Sequence, residues 1–139
     1  MVDEGRVSRL LRDITDRIAR VRAAAETPDN ERSELWLDGV KYLFVTAIEG
    51  CIDVAQHIAS SERYRAPDTN SAAVRLLAEH GVVESATSEA VARAVGFRNV
   101  LVHRYIDVDD QRVVDAIDQL ADLDAFVSEV SAWMLTQGD

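Results

Sequence analysis

Between Gly96 and Tyr105 the chain reads GFRNVLVHRY, which sets a guanidinium, an amide, an imidazole and a phenol in a short apolar stretch. Such a set can break a phosphodiester without a metal if the substrate carries its own nucleophile, as the 2′-hydroxyl of RNA does. That attack needs a proton acceptor, a proton donor and a cation for the charge that builds on the phosphoryl oxygens. His103 titrates near neutrality and can take either proton role. Arg98 stays protonated and offers a planar fork to two oxygens, while Asn99 could orient a phosphate oxygen or the imidazole.

Spacing constrains how these groups meet. Arg98 and Tyr105 are seven residues apart and would share a helix face, but Arg98 and His103, five apart, diverge by about 140° on an ideal helix. The expectation is therefore that the helix ends, bends or loosens between Arg98 and His103, or that Arg98 reaches around it. Gly96 just upstream lowers local helix propensity.

The surrounding elements read as helices. Val7, Leu10, Leu11, Ile14, Ile18 and Val21 keep a 3.6-residue period and predict a first helix over 4–25. Thr27-Pro28-Asp29-Asn30 supplies breaker and cap chemistry before a long second helix over 31–60. That helix is apolar around most of its circumference, from Leu35 and Trp36 through Phe44, Ile48 and Cys51 to Ile58, which predicts a central position and a share in a homodimer interface. One polar seam runs along it through Tyr42, Thr46, Glu49, Asp53, Gln56 and Ser60, with His57 at its edge; it either faces solvent or lines a cleft. SERYRAPDTN at 61–70 is a loop, a short helix over 71–80 follows with Asn70 as cap and Gly81 as stop, and a fourth helix carries EAVARAVGFRNVLVHRY. Asp107, Asp109 and Asp110 suit the start of a fifth helix, whose apolar spacing runs from Val113 to Met134. The predicted fold is an all-α up-and-down bundle of about five helices, one domain over 1–139.

Composition narrows the partners. The chain of 139 residues carries 25 acidic and 15 basic residues, a net charge of −10. The acidic excess grows along the chain: residues 1–25 carry +2, 26–83 carry −5 and 84–139 carry −7. A broad acidic surface repels phosphate backbones, so DNA capture by a basic face is not expected and any nucleic-acid chemistry must occur in a local Arg/His pocket. Single Cys51 excludes an internal disulfide and a multi-cysteine metal site, and reads as a small core residue. No apolar run is long enough for a membrane span, and the acidic start MVDEGRV does not resemble a secretory signal, so a cytoplasmic location is expected.

Arg98-Asn99-Val100-Leu101-Val102-His103-Arg104-Tyr105 resembles the R-x4-H-x-Y signature of HepT toxins, a branch of the HEPN ribonucleases. The stretch from Ala47 to Ile58, AIEGCIDVAQHI, is similar to the second-helix pattern of that family, and the order of helices agrees. The resemblance implies a dimeric all-α bundle that places two copies of the motif in a shared cleft. It implies metal-independent RNA cleavage with no cofactor, and neutralisation by an MntA-type nucleotidyltransferase antitoxin that adds AMP to the motif tyrosine. Carried over by residue, Arg98 and His103 are catalytic, Asn99 supports them, Tyr105 is the modified position, and Glu49 and Asp53 match the acidic positions of the second helix less specifically.

Other readings remain open on the residues alone. The chain could be a non-catalytic helical module that binds a nucleotidyltransferase or its nucleotide. Glu49, Asp53 and His57, at four-residue steps, could hold one metal ion, although no Glu-x-x-His motif occurs. Arg65 and Arg104, and with them Arg63, are candidate contacts to phosphates or an acidic partner. His57 and His80 read as structural or exposed.

Overall fold

A computed structural model describes residues 1–137, and every described element is a helix or turn. α1 spans Glu4–Ala25, opened by Asp3, whose Oδ1 accepts from the Arg6 N–H at 3.0 Å. It buries Val7, Leu11, Ile14, Ile18 and Val21, one side of a 3.6-residue repeat, along α2.

α2, Glu34–Ser61, is the central element and touches α1, α3, α4, α5 and α6. It starts later than expected. The chain first makes a 3₁₀ turn at Asp29–Glu31, and Ser33 is the true cap, its Oγ accepting from the Trp36 N–H at 3.1 Å. Gly50 lets α1 approach closely, because a Cβ there would stand 2.6 Å from Ile14 Cγ1. Cys51 lies fully inside, where burial pushes its thiol up to about 12 and leaves it a packing group. Leu35, expected in the apolar band, is instead 81% exposed.

α3 runs over Asn70–Glu79, with Thr69 rather than Asn70 as its cap, and Gly81 closes it at φ 75°. α4, Ser85–His103, packs Val91, Val95, Phe97 and Leu101 inward, with the Phe97 ring edge-on to Phe44 at 5.8 Å between centroids. A second 3₁₀ turn, Tyr105–Asp107, leads to α5 at Asp110–Ala116.

The predicted fifth helix is broken. A 3₁₀ turn at Ile117–Gln119 separates α5 from α6, Leu120–Gln137. Ile117, Leu120, Leu123 and Phe126 recur every three residues, and on a regular α-helix Ile117 and Phe126 would face opposite ways. A three-residue turn over Ile117–Gln119 sets Ile117 and Leu120 on one side, and α6 then carries Leu120, Leu123 and Phe126 on its buried face. Counted as one interrupted unit, α5 and α6 complete five helical segments in an all-α fold.

Candidate active site at the end of α4

α4 delivers Arg98, Asn99 and His103 near its C-terminal end, and the turn after it delivers Tyr105. Arg98 is partly buried, its side chain 21% exposed, and reaches across to Glu49 on α2. Arg98 Nε and Nη2 both donate to Glu49 Oε1, at 3.3 and 2.9 Å, and Nη1 donates to Asn99 Oδ1 at 3.1 Å. A guanidinium has five N–H groups, so two stay free. Glu49 and Asn99 therefore aim the cation and leave it able to grip an oxygen pair.

α4 stays helical through His103, so the expected break between Arg98 and His103 does not occur. The helix is held by the packing of Phe97 and Leu101, and Gly96, exposed with open space around its Cα, does not interrupt it. On a regular helix the two side chains leave about 140° apart, and Arg98 turns to Glu49 of α2. Arg98 does not reach around either, because its length is spent on Glu49. The imidazole of His103 is exposed, open to an incoming strand and not sealed in hydrocarbon.

Tyr105 departs from expectation too. The chain leaves the α-helix at Arg104, so the phenol does not share the helix face of Arg98. Instead it lies on α2. The Tyr105 hydroxyl donates to Asp38 Oδ1, and the Lys41 ammonium sits 4.6 Å from the ring centroid. Lys41 is only 6% exposed and also lies 3.8 Å from Asp110 of α5. The hydrogen bond and negative charge of Asp38 hold the Tyr105 phenol above its ordinary value. Neither Asp38 nor Lys41 was singled out above. The available signal was that Lys41 is the chain's one lysine, set on an apolar helix between Val40 and Phe44.

The polar seam of α2 faces outward: Tyr42, Asp53, Gln56 and Ser60 are exposed, and Thr46 and Glu49 are half-buried. Asp53 points to no motif residue. Partial loss of solvent around its carboxyl first, and the neighbouring Glu49 second, push it up, with Arg6 pulling the other way. The proposed metal ladder of Glu49, Asp53 and His57 is not assembled. His57 Nε2 accepts from the Asp3 N–H at 3.2 Å, and among the described residues no three His, Cys, Asp or Glu side chains are arranged to hold an ion. Arg65 lies away from the motif and is engaged twice by Glu79, at 2.6 and 2.9 Å. Arg104 is exposed directly beside His103.

A cavity of about 390 Å³ lies between α2, α4, α5 and α6, lined by Phe44, Arg93, Phe97, Arg112 and Leu120 among others. It contains neither Arg98, His103 nor Tyr105, so the chemistry sits on an open surface. That surface is apolar at its margins: Leu35 is 81% exposed, Tyr42 64%, Val102 43% and Ile106 94%.

By its architecture the helical bundle belongs with the HEPN-like folds. The "Ribonuclease HepT-like" family model matches residues 11–130, and the chain belongs to that family. A protein of Archaeoglobus fulgidus is 30% identical over 100 residues, 72% of this chain and 75% of its own length. An mRNA nuclease HepT of Shewanella oneidensis is 29% identical over 85 residues, 60% of this chain and 64% of the relative. Among solved structures, a tri-AMPylated Shewanella oneidensis HEPN toxin in complex with MNT antitoxin superposes with a TM-score of 0.83. It is 24% identical and covers 95% of this chain and 99% of that one, a likeness of fold. No described helix is long and apolar enough to cross a membrane.

Proposed function

We propose that this chain is the toxin of a toxin–antitoxin pair, an endoribonuclease that cuts RNA by attack of the 2′-hydroxyl and needs no metal. The observation that carries the reading is the Arg98 guanidinium, aimed by Glu49 and Asn99 with two N–H groups to spare, on the same helix end as an open imidazole. Arg98 takes the phosphoryl oxygens, His103 moves the proton, and exposed Arg104 adds a phosphate contact.

The separation of Arg98 from His103 within one chain supports a dimeric site. A second copy seated on the exposed apolar margin of Leu35, Tyr42, Val102 and Ile106 would bring its own His103 toward the first copy's Arg98, and bury residues that a lone chain leaves in water. The nuclease activity of the Shewanella HepT and the AMP carried by the Shewanella HEPN toxin support the same reading. Tyr105, 44% exposed, is the acceptor here for an MntA-type nucleotidyltransferase antitoxin. AMP on its oxygen puts bulk and negative charge where RNA must enter, and competes for Arg98.

The test is direct. Purified, unmodified protein is expected to cut an RNA oligonucleotide in EDTA, and His103→Ala to lose at least about a hundredfold in kcat. Equal cutting by His103→Ala removes the proton shuttle from the mechanism. The same separation of Arg98 and His103 also fits a non-catalytic module that binds a nucleotidyltransferase or its nucleotide. That reading replaces the first if the wild-type protein stays monomeric and leaves RNA intact.

A further inference from the structure

Tyr105 is held more firmly than an exposed modification target requires. Its ring lies against the ammonium of Lys41, whose stem is buried in α2 and which pairs with Asp110 at 3.8 Å. Its hydroxyl donates to Asp38 Oδ1, from the turn of α2 just before Lys41. Lys41 thus fixes the plane of the ring, and Asp38 fixes where the phenolic proton points. Tyr105 as a whole stays 44% exposed and reachable from solvent.

We propose that Asp38 is the general base for nucleotidyl transfer to Tyr105, so that the protein to be modified supplies its own proton acceptor. This rests on the AMP-acceptor reading of Tyr105 given above. In the step, the phenolic oxygen attacks the α-phosphorus of ATP held by the transferase. The new O–P bond forms as the bond from the α-phosphorus to the β-bridging oxygen breaks, pyrophosphate departs, and the phenolic proton passes to the Asp38 carboxylate. Atoms and charge balance without any further reactant.

Several observations favour Asp38 over the other groups nearby. It already accepts the proton's hydrogen bond, which is the reach a base requires. Lys41 is committed to the ring face and to Asp110, and carries no free electron pair while charged. His103 belongs to α4 and is spent, in the proposed cleavage, on RNA. A phenol is protonated near neutral pH and Asp38 holds this one further above its ordinary value, so the proton must leave during the transfer itself. The charged groups around the phenol are Asp38 and Lys41 from α2 and Asp110 from α5, with Arg104 and Asp107 flanking it along the chain.

The experiment follows AMP transfer from magnesium ATP to the full chain by an MntA-type nucleotidyltransferase, read by intact mass and by peptide mapping. Asp38→Asn keeps the shape and removes the base. Its kcat for transfer is expected to fall about a hundredfold, with KM for the acceptor protein within about twofold and the acid limb of the pH–rate profile lost. Asp38→Glu is expected to recover part of the rate and to restore that limb, and melting midpoints confirm that both variants fold. Equal kcat for Asp38→Asn and wild type, an unchanged pH profile, or a loss confined to KM each overturns the role of Asp38. Wild-type protein that accepts no AMP, or accepts it elsewhere than Tyr105, overturns the acceptor reading itself, before Asp38 is at issue.

Discussion

Replacing Glu49 by Gln separates the two things this carboxylate does. It aims Arg98 through two hydrogen bonds to one oxygen, at 2.9 and 3.3 Å, and it places a negative charge beside a group meant to hold phosphate. Glutamine keeps an acceptor oxygen and removes the charge. A phosphate on the free edge of the guanidinium would lie roughly 6 Å from the carboxylate, and with an effective dielectric of about 40–80 their repulsion is about 0.7–1.4 kcal/mol. The water-like dielectric is the right choice because the Glu49 side chain is 41% exposed. Glu49→Gln should therefore lower KM for an RNA oligonucleotide about three- to tenfold at low salt, with kcat within about twofold. Steady-state cleavage of a labelled oligonucleotide at about 50 and 300 mM salt reads this, and the gain should shrink at the higher salt. Glu49→Ala, which loses the aim as well, should drop kcat about tenfold. A KM that is unchanged or raised in Glu49→Gln would show that RNA does not pass beside this carboxylate, and the placement of Arg98 at the scissile phosphate would fall with it.

Two further expectations concern the frame. Gly50→Ala drives a methyl to 2.6 Å from Ile14 Cγ1, a mid-chain methylene of a buried side chain, and should cost about 1–3 kcal/mol, seen as a melting midpoint several degrees lower. Pairing it with Ile14→Ala should cost less than the sum of the two single changes. Asp53 titrates above its ordinary value because partial desolvation and Glu49 both oppose its charge. The native state then binds the proton more tightly than the unfolded chain, so this residue's contribution to stability falls as pH rises through its native pKa. Asp53→Asn should melt higher than the parent at neutral pH and lose that advantage at about pH 3, where Asp53 is largely protonated in the native and unfolded chains alike. A lower midpoint at neutral pH would mean that attraction to Arg6 outweighs the two opposing effects.

Much of the frame was written in simple periodicities. The Val7 to Val21 repeat set α1 to its residue limits, and the all-round apolar character of α2 marked it as the central element. The misplaced features share a cause: local signals that several residues satisfy equally. Thr69 and Asn70 are both good caps, as are Asp29 and Ser33, and only the tertiary path decides which one starts the helix. The interruption between α5 and α6 falls where a 3₁₀ turn at Ile117–Gln119 sets Ile117 and Leu120 on one side, a local tightening that a helical period read over the whole stretch does not register.

The site was legible in its residue types and not in its geometry. An R-x4-H spacing on one helix poses a contradiction, since the pattern pairs two groups that the helix turns apart. α4 does not resolve it by breaking, so the contradiction is passed to the next level of structure: either these groups act in trans or they do not act together. Val102 lies within the motif, Ile106 directly after it and Leu35 at the start of α2; all three are unburied, and burying them takes a partner surface. A single arrangement of two chains would then answer both the stranded apolar side chains and the stranded histidine. A mixed dimer is the sharpest trial of that logic. One subunit carrying Arg98→Ala and the other His103→Ala leaves one intact composite site if the groups act across the interface, and about half the wild-type activity should survive. If each active centre draws Arg98 and His103 from the same chain, the mixed dimer should be as inactive as either parent.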